Sequence, residues 1–218
     1  MKSQIIPHKR QRIALVICNG KVLSKKDLAP LLQGRPFVLC ADGGANMARR
    51  LGIRPNAIVG DLDSISRSTR KFFSGVETIR MDDQYSTDLE KALDVLLERG
   101  FHSAVVVGAM GGRPDHSLAN LSILMKYHRK MDLQFSDTFC DICIIDRKVV
   151  LNAGIGSVIS LMPLGRCEGV TTSGLKYPLL DETLELGVRE GTSNEVVSSH
   201  VRISVKNGIL VLFVVKKK

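Results

Sequence analysis

The 218-residue chain has no tryptophan, and only 5% of it is aromatic, three Tyr and seven Phe. With so few rings, and none of the interleaving of rings and cations that base stacking favours, an RNA-binding module is a poor reading and nucleic acid is not expected as a partner. Long apolar runs are missing too. The longest, residues 13–18 and 209–215, are too short to cross a bilayer or to form a signal-peptide core. The chain therefore reads as soluble, with no membrane partner. Five cysteines, an odd number, make no disulfide framework. Cys18, Cys40 and Cys143 sit in β-like apolar stretches where a thiol behaves as a small hydrophobe. That usage fits a reducing compartment, and the expected location is cytoplasmic.

What is present is enough hydrophobic residue, 44%, for a real core in one large domain or two modest ones. The net charge of +9 is concentrated at the ends: residues 1–12 hold four cations and no acid, and Lys216, Lys217 and Lys218 add three. Removing those seven leaves the body near +2. Charged ends of this kind are ordinarily solvated tails.

Residues 13–18, 37–41, 57–59, 77–81, 104–108 and 133–136 read as β-branched strands. Helices fall between them at 24–33, 45–51 and 88–99, the last opened by Thr87 and Glu90 in capping-box spacing. Strand and helix in alternation predict a doubly wound, mostly parallel α/β sheet. Beyond Phe139 the pattern changes to β-like runs at 142–146, 149–152, 157–162, 183–188, 196–205 and 209–215, with no amphipathic helix among them. Lys206-Asn207-Gly208 has the composition of a hairpin turn. The expectation is an α/β domain over 1–148, with 1–12 a basic tail, and a small antiparallel β-sandwich or barrel over 149–218.

In an open parallel sheet, ligands collect outside the carboxyl ends of the strands. Those positions are acidic: Asp42 after the second strand, Asp61 and Asp63 after the third, Asp88 at the helix that follows the fourth, and Asp115 after the fifth. Each alone is explained as a turn former or helix cap. Converging on one sheet edge, they would repel one another unless a cation sat among them, and Mg²⁺ prefers a few carboxylates together with substrate phosphates. Asp61 and Asp63, an i, i+2 pair leaving a strand, are the leading metal candidates. Asp42 and Asp88 complete that site or hold a second ion. Gly43-Gly44 and Gly111-Gly112 each precede a helix start and can admit phosphate to backbone N–H groups, though neither is a Walker A loop. Arg113 can fork onto phosphate or simply pair with Asp115. Lys91 reaches phosphate or forms an i, i+3 pair with Asp88. Gln84 is a candidate substrate or phosphate contact. Cys140-x-x-Cys143 has redox spacing but lies on a strand pattern without the helix that lowers a thiol pKa.

The blocks Asp42-Gly43-Gly44-Ala45-Asn46, Gly60-Asp61-Leu62-Asp63-Ser64, residues 84–93 from Gln84 through Thr87, Asp88 and Lys91, and residues 111–116 from Gly111 through Asp115 resemble, in order and spacing, those of the thiamin pyrophosphokinase family. Gly174-Leu175-Lys176-Tyr177-Pro178-Leu179 and Gly191-Thr192-Ser193-Asn194-Glu195 resemble its two thiamin-side motifs. The resemblance implies transfer of a diphosphoryl group from ATP to the hydroxyl of thiamin, giving thiamin diphosphate and AMP. It implies nucleotide contacts from Asp42, Gly43, Gly44, Asn46, Thr87, Lys91, Gly111, Gly112 and Asp115. Asp61, Asp63, Asp88, Arg113 and Gln84 would be catalytic, and Tyr177, Ser193 and Asn194 would lie by thiamin. It further implies a homodimer in which the β domain of one subunit closes the thiamin site against the catalytic domain of the other. Where the family often has Trp, this chain has Tyr177; either ring can stack on the cationic thiazolium, Trp the more strongly. The alternatives are a pyrophosphokinase for another hydroxymethyl heterocycle, such as a pterin, and a non-catalytic regulator that binds nucleotide or thiamin.

Overall fold

The structure, a computed structural model, describes residues 12–21 and 23–216. Of the basic tail expected at 1–12, all but Arg12 lies outside the described residues, as do Lys217 and Lys218 at the other end. Arg12 places its guanidinium 4.8 Å from the centre of the Phe101 ring. The chain forms two compact units that divide between Thr138 and Phe139, ahead of the boundary near residue 148 read from the sequence.

The first unit alternates β1 (Ala14–Ile17), α1 (Lys25–Gln33), β2 (Phe37–Ala41), α2 (Gly44–Leu51), β3 (Ala57–Gly60), α3 (Arg67–Phe72), β4 (Glu77–Arg80), α4 (Asp88–Glu98), β5 (Ser103–Val107), α5 (Pro114–Tyr127) and β6 (Asp132–Ser136). All its strand pairs are parallel, in the order β6-β5-β1-β2-β3-β4. β1, β3 and β5 are buried at every position, which is why they read as continuous apolar runs. The edge strand β4 is largely exposed and carries Glu77, Thr78 and Arg80. The chain steps outward from β1 to β4, then returns to the other side of β1 for β5 and β6, so the winding reverses at β1 and opens a crevice at the carboxyl ends. α4 packs on β2 and β3 through a face that includes Leu89, Ala92, Leu93 and Leu96. α3 was not anticipated: six residues, Arg67-Ser68-Thr69-Arg70-Lys71-Phe72, carry no apolar period, and the Ser66 side chain caps it by accepting from Thr69 N.

The second unit holds β7 (Cys140–Ile145), β8 (Lys148–Asn152), β9 (Val158–Pro163), β10 (Arg166–Ser173), β11 (Glu182–Glu185), β12 (Gly191–Glu195), β13 (His200–Ser204) and β14 (Leu210–Val215). β7 belongs here because it pairs antiparallel with β14 along its whole length, from Cys140↔Val215 to Ile145↔Leu210. One set of antiparallel pairs runs β12-β9-β14-β7. The other is a four-stranded sheet, β11-β10-β13-β8. Ile145, Ile159, Leu161, Leu210 and Leu212 of the first set share one core with Leu151, Val170, Leu184, Val201 and Ile203 of the second. The expected β-sandwich is present, but two of its strands, β10 and β12, were missed. Both are bulged: register shifts fall between Cys167 and Val170 and between Gly191 and Asn194, which breaks the alternation a strand shows in sequence. Lys206-Asn207-Gly208 is also not a hairpin between paired strands. It carries the chain from β13 in one sheet to β14 in the other, with Asn207 bridged to Glu168. Gly208, at φ +98°, lies so close to β10 that a Cβ would fall 2.6 Å from Arg166 O.

Candidate active site

Asp42 follows β2, and Asp61 and Asp63 follow β3. One carboxylate oxygen of each lies within 4.8 Å of the others. The turn that aims the pair is tight: Asp61 Oδ1 accepts from Asp63 N at 3.1 Å, and Leu62 between them is left-handed at φ +72°. Arg70 of α3 fixes it from outside, donating from Nη2 to Leu62 O at 2.6 Å. Asp42 is itself left-handed at φ +40° and buried. Its Oδ2 accepts from Ser64 N at 3.3 Å, while its Oδ1 is buried with no hydrogen-bond partner. An unpartnered buried carboxylate oxygen costs on the order of 1–3 kcal/mol or more. Left-handed backbone at a residue other than Gly adds strain that recurs at functional sites.

Gly60 completes this arrangement. At φ +147°, a Cβ there would meet Asp42 Cβ at 2.8 Å and Asp88 Oδ1 at 3.2 Å, so only glycine leaves the space between the two acids open. Asp88 Oδ1 stands 3.9 Å from Nζ of the buried Lys91. Burial first, then the Asp42 carboxylate, push the Asp88 carboxyl up to about 6, with Asp61 and Asp63 adding to the rise and Lys91 opposing it. The Asp88 carboxyl with its ionisation held back, an orphaned carboxylate oxygen and a cradle without side chain form a donor set that fits a small hard cation.

Most of the remaining nominated residues of the first unit make contacts within the chain itself. Asn46 is occupied by the loop after β3: Nδ2 donates to Ser64 O at 2.8 Å and Oδ1 accepts from Ser66 N at 3.1 Å. Thr87 caps α4, its side chain accepting from Glu90 N while Glu90 reaches back to Thr87 N. Gln84 is exposed and donates to Asp82 O at 3.4 Å. Its loop is organised by Asp83, whose carboxyl is held below the usual range first by the Ser86 hydroxyl and next by Tyr85 N–H. Gly44 is required by packing: a Cβ would fall 1.9 Å from Ile17 O, while one at Gly43 would meet the Asn19 amide at 2.5 Å. Gly111 is left-handed at φ +77°, whereas a Cβ at Gly112 would meet nothing. Arg113 and Asp115 form an exposed two-bond fork, Nε to Oδ1 at 3.1 Å and Nη2 to Oδ2 at 2.6 Å. Asp115 is not among the acids that converge.

In the second unit, Tyr177 exposes its ring. Asn194 grips the backbone of the same residue, donating from Nδ2 to Tyr177 O at 2.6 Å and accepting from Tyr177 N at 3.1 Å. Ser193 is left-handed at φ +57°, and its N–H donates to Ser160 Oγ at 3.0 Å.

Residues 28–135 match the thiamin pyrophosphokinase catalytic domain, and residues 144–210 match the thiamin pyrophosphokinase vitamin B1 binding domain. The chain belongs to the thiamin pyrophosphokinase family. Thiamine pyrophosphokinase 3 of Oryza sativa subsp. japonica is 30% identical, over 84% of this chain and 79% of the relative. Thiamine pyrophosphokinase 1 of Arabidopsis thaliana is 29% identical, over 94% and 87%. The crystal structure of thiamine pyrophosphokinase from Bacillus subtilis shares the fold with a TM-score of 0.84, covering 94% of this chain and all of that one at 24% identity.

Several parts of this thiamin pyrophosphokinase-family site had no signal as functional residues. Asn19 follows β1 in an ordinary polar turn, and its place beside Gly43 depends on how β1 and β2 pair. Arg70 is one basic residue among many, and only the fold brings it to Leu62 O. Asn120 of α5, which donates to Ala109 O at 2.6 Å and so holds the loop after β5, reads from sequence as a polar helix position.

Proposed function

We propose that the protein is a magnesium-dependent thiamin pyrophosphokinase that transfers the diphosphoryl group of ATP to the hydroxyl of thiamin, giving thiamin diphosphate and AMP. The observation that carries this reading is the convergence of Asp42, Asp61 and Asp63, with Asp42 Oδ1 unpartnered, in a chain that matches both domains of the family.

Asp42, Asp61 and Asp63 would hold the Mg²⁺, with Asp88 at its edge; when bound, the ion supplies charge neutralisation to phosphate oxygens. The chain's own contribution is position and charge. Arg70 keeps the Asp61–Asp63 turn in place, and Lys91 faces the acids with a buried ammonium suited to phosphate oxygens. The thiamin hydroxyl oxygen bonds to the β-phosphorus as the bond from that phosphorus to the oxygen bridging it to the α-phosphorus breaks, and AMP leaves. Asp88 accepts the hydroxyl proton or orients it, since an alcohol that loses its proton late needs only a weak base. Attack at the β-phosphorus follows from family membership. Tyr177, held by Asn194, offers a ring to the thiazolium. The active form is a homodimer in which Tyr177, Ser193 and Asn194 of one subunit serve the acids of the other. Five free cysteines fit the cytoplasmic location expected.

The test is purified protein with Mg-ATP and thiamin, with products separated by chromatography. Thiamin diphosphate and AMP in equal amounts are expected; ADP, or no turnover, would overturn the reading. Asp61→Asn and Asp63→Asn are each expected to lower kcat by more than about a hundredfold with an unchanged circular dichroism spectrum.

A further inference from the structure

α3 presents Arg67, Arg70 and Lys71 on one exposed stretch, and with Asp63 and Ile65 they line a pocket of about 520 Å³. That volume lies within the usual range of small-molecule sites. Asp63, the acid of its lining, is also a member of the converging cluster, so the pocket and the acid cluster share a wall.

Several arginines of the chain are held by acids, whereas the α3 cations are not. Arg80 pairs with Asp82, Arg99 with Glu77, Arg113 with Asp115, Arg166 with Glu168 and Glu185, and Arg189 with Glu182. Among the described residues, no carboxylate lies within ion-pair distance of Arg67, Arg70 or Lys71. Arg70 is spent on Leu62 O, which ties α3 to the turn between Asp61 and Asp63. Arg67 and Lys71 are left as cations at a fixed offset from those acids. Three carboxylates around one divalent ion still leave negative charge, and a phosphate chain brought against them needs positive charge from elsewhere. Lys91 is one source, and it already faces Asp88.

We infer that Arg67 and Lys71 bind the terminal phosphates of the nucleotide co-substrate, the part that is transferred, with Arg70 as the tie that keeps them in register with the acids. This rests on the diphosphotransferase reading above. The recognised chemistry is a diphosphoryl anion and not the nucleoside, so binding of free inorganic pyrophosphate with Mg²⁺ reads the site directly.

The experiment compares the wild type with the double variant Arg67→Gln/Lys71→Gln by calorimetric titration with Mg-pyrophosphate and with AMP, alongside steady-state kinetics. The double variant is expected to bind Mg-pyrophosphate about tenfold more weakly and to raise KM for ATP by a similar factor. AMP affinity, KM for thiamin and the melting temperature should stay as in the wild type. Lys71→Arg, which keeps the charge, should retain wild-type pyrophosphate affinity even if the double variant melts early. An active wild type whose double variant keeps its pyrophosphate affinity and its KM for ATP would overturn the inference alone. A wild type that forms no thiamin diphosphate and AMP would instead sink the function it rests on.

Discussion

At the residue scale, the protein keeps acids where the fold alone would not want them. Asp88 is the measurable case, because burial first and then the Asp42 carboxylate raise its carboxyl from the usual 3.8 to about 6. With a folded value above the unfolded one, the neutral carboxyl contributes stability that is fully present below about 4 and is lost as pH rises through about 6. Such a rise corresponds to ~3 kcal/mol, which solvent screening at a half-exposed carboxylate reduces to about 1 kcal/mol. In EDTA at pH 7.5, Asp88→Asn is therefore expected to raise the melting temperature by ~2–4 °C, the response of a chain of this size. Calorimetry from pH 7.5 down to 4 should show that advantage shrinking; an advantage constant across the range would mean that Asp88 does not feel the cluster. The sequence made part of this legible. Asp61 and Asp63 could be nominated because an i, i+2 pair leaving a strand needs only local geometry to converge. The orphaned oxygen of Asp42 and the Gly60 cradle depend on β2 lying beside β3, which no local pattern encodes.

At the element scale, all six strands of the parallel sheet could be read: burial on both faces makes β1, β2, β3 and β5 apolar runs, while the exposed edge β4 and the mixed β6 still carry Thr78 and Ile79, and Leu133 and Phe135. α3, capped by Ser66 and tied through Arg70, escaped because its residues serve contacts instead of a core, and β10 and β12 escaped because their bulges break the alternation. α4 shows how one block can be read two ways. Thr87 stands among the residues the family resemblance gave to the nucleotide, yet its side chain accepts from Glu90 N in a complete capping box. If capping is its work, Thr87→Ala costs about 1 kcal/mol of stability, readable by urea denaturation, with KM for ATP within twofold of wild type. A rise in KM with unchanged stability would instead make the hydroxyl a nucleotide ligand.

At the scale of the whole molecule, the acids and the residues proposed to lie by thiamin belong to different compact units: Asp42, Asp61, Asp63 and Asp88 to the first, Tyr177, Ser193 and Asn194 to the second. A homodimer that pairs the first unit of one subunit with the second unit of the other makes a prediction that a self-contained subunit does not. Asp61→Asn removes an acid, and Asn194→Ala removes the two-bond grip on Tyr177, so each variant alone is expected to be impaired. In a heterodimer of the two, purified through a different tag on each chain, one site draws both damaged units and the other draws both intact ones. Two-fold symmetry then predicts about half the wild-type activity per dimer. If each site were built within one chain, both sites of the heterodimer would carry a lesion and it would be as inactive as its parents. Light scattering on the same sample supplies the independent check, since a species at monomer mass would remove the shared site whatever the kinetics.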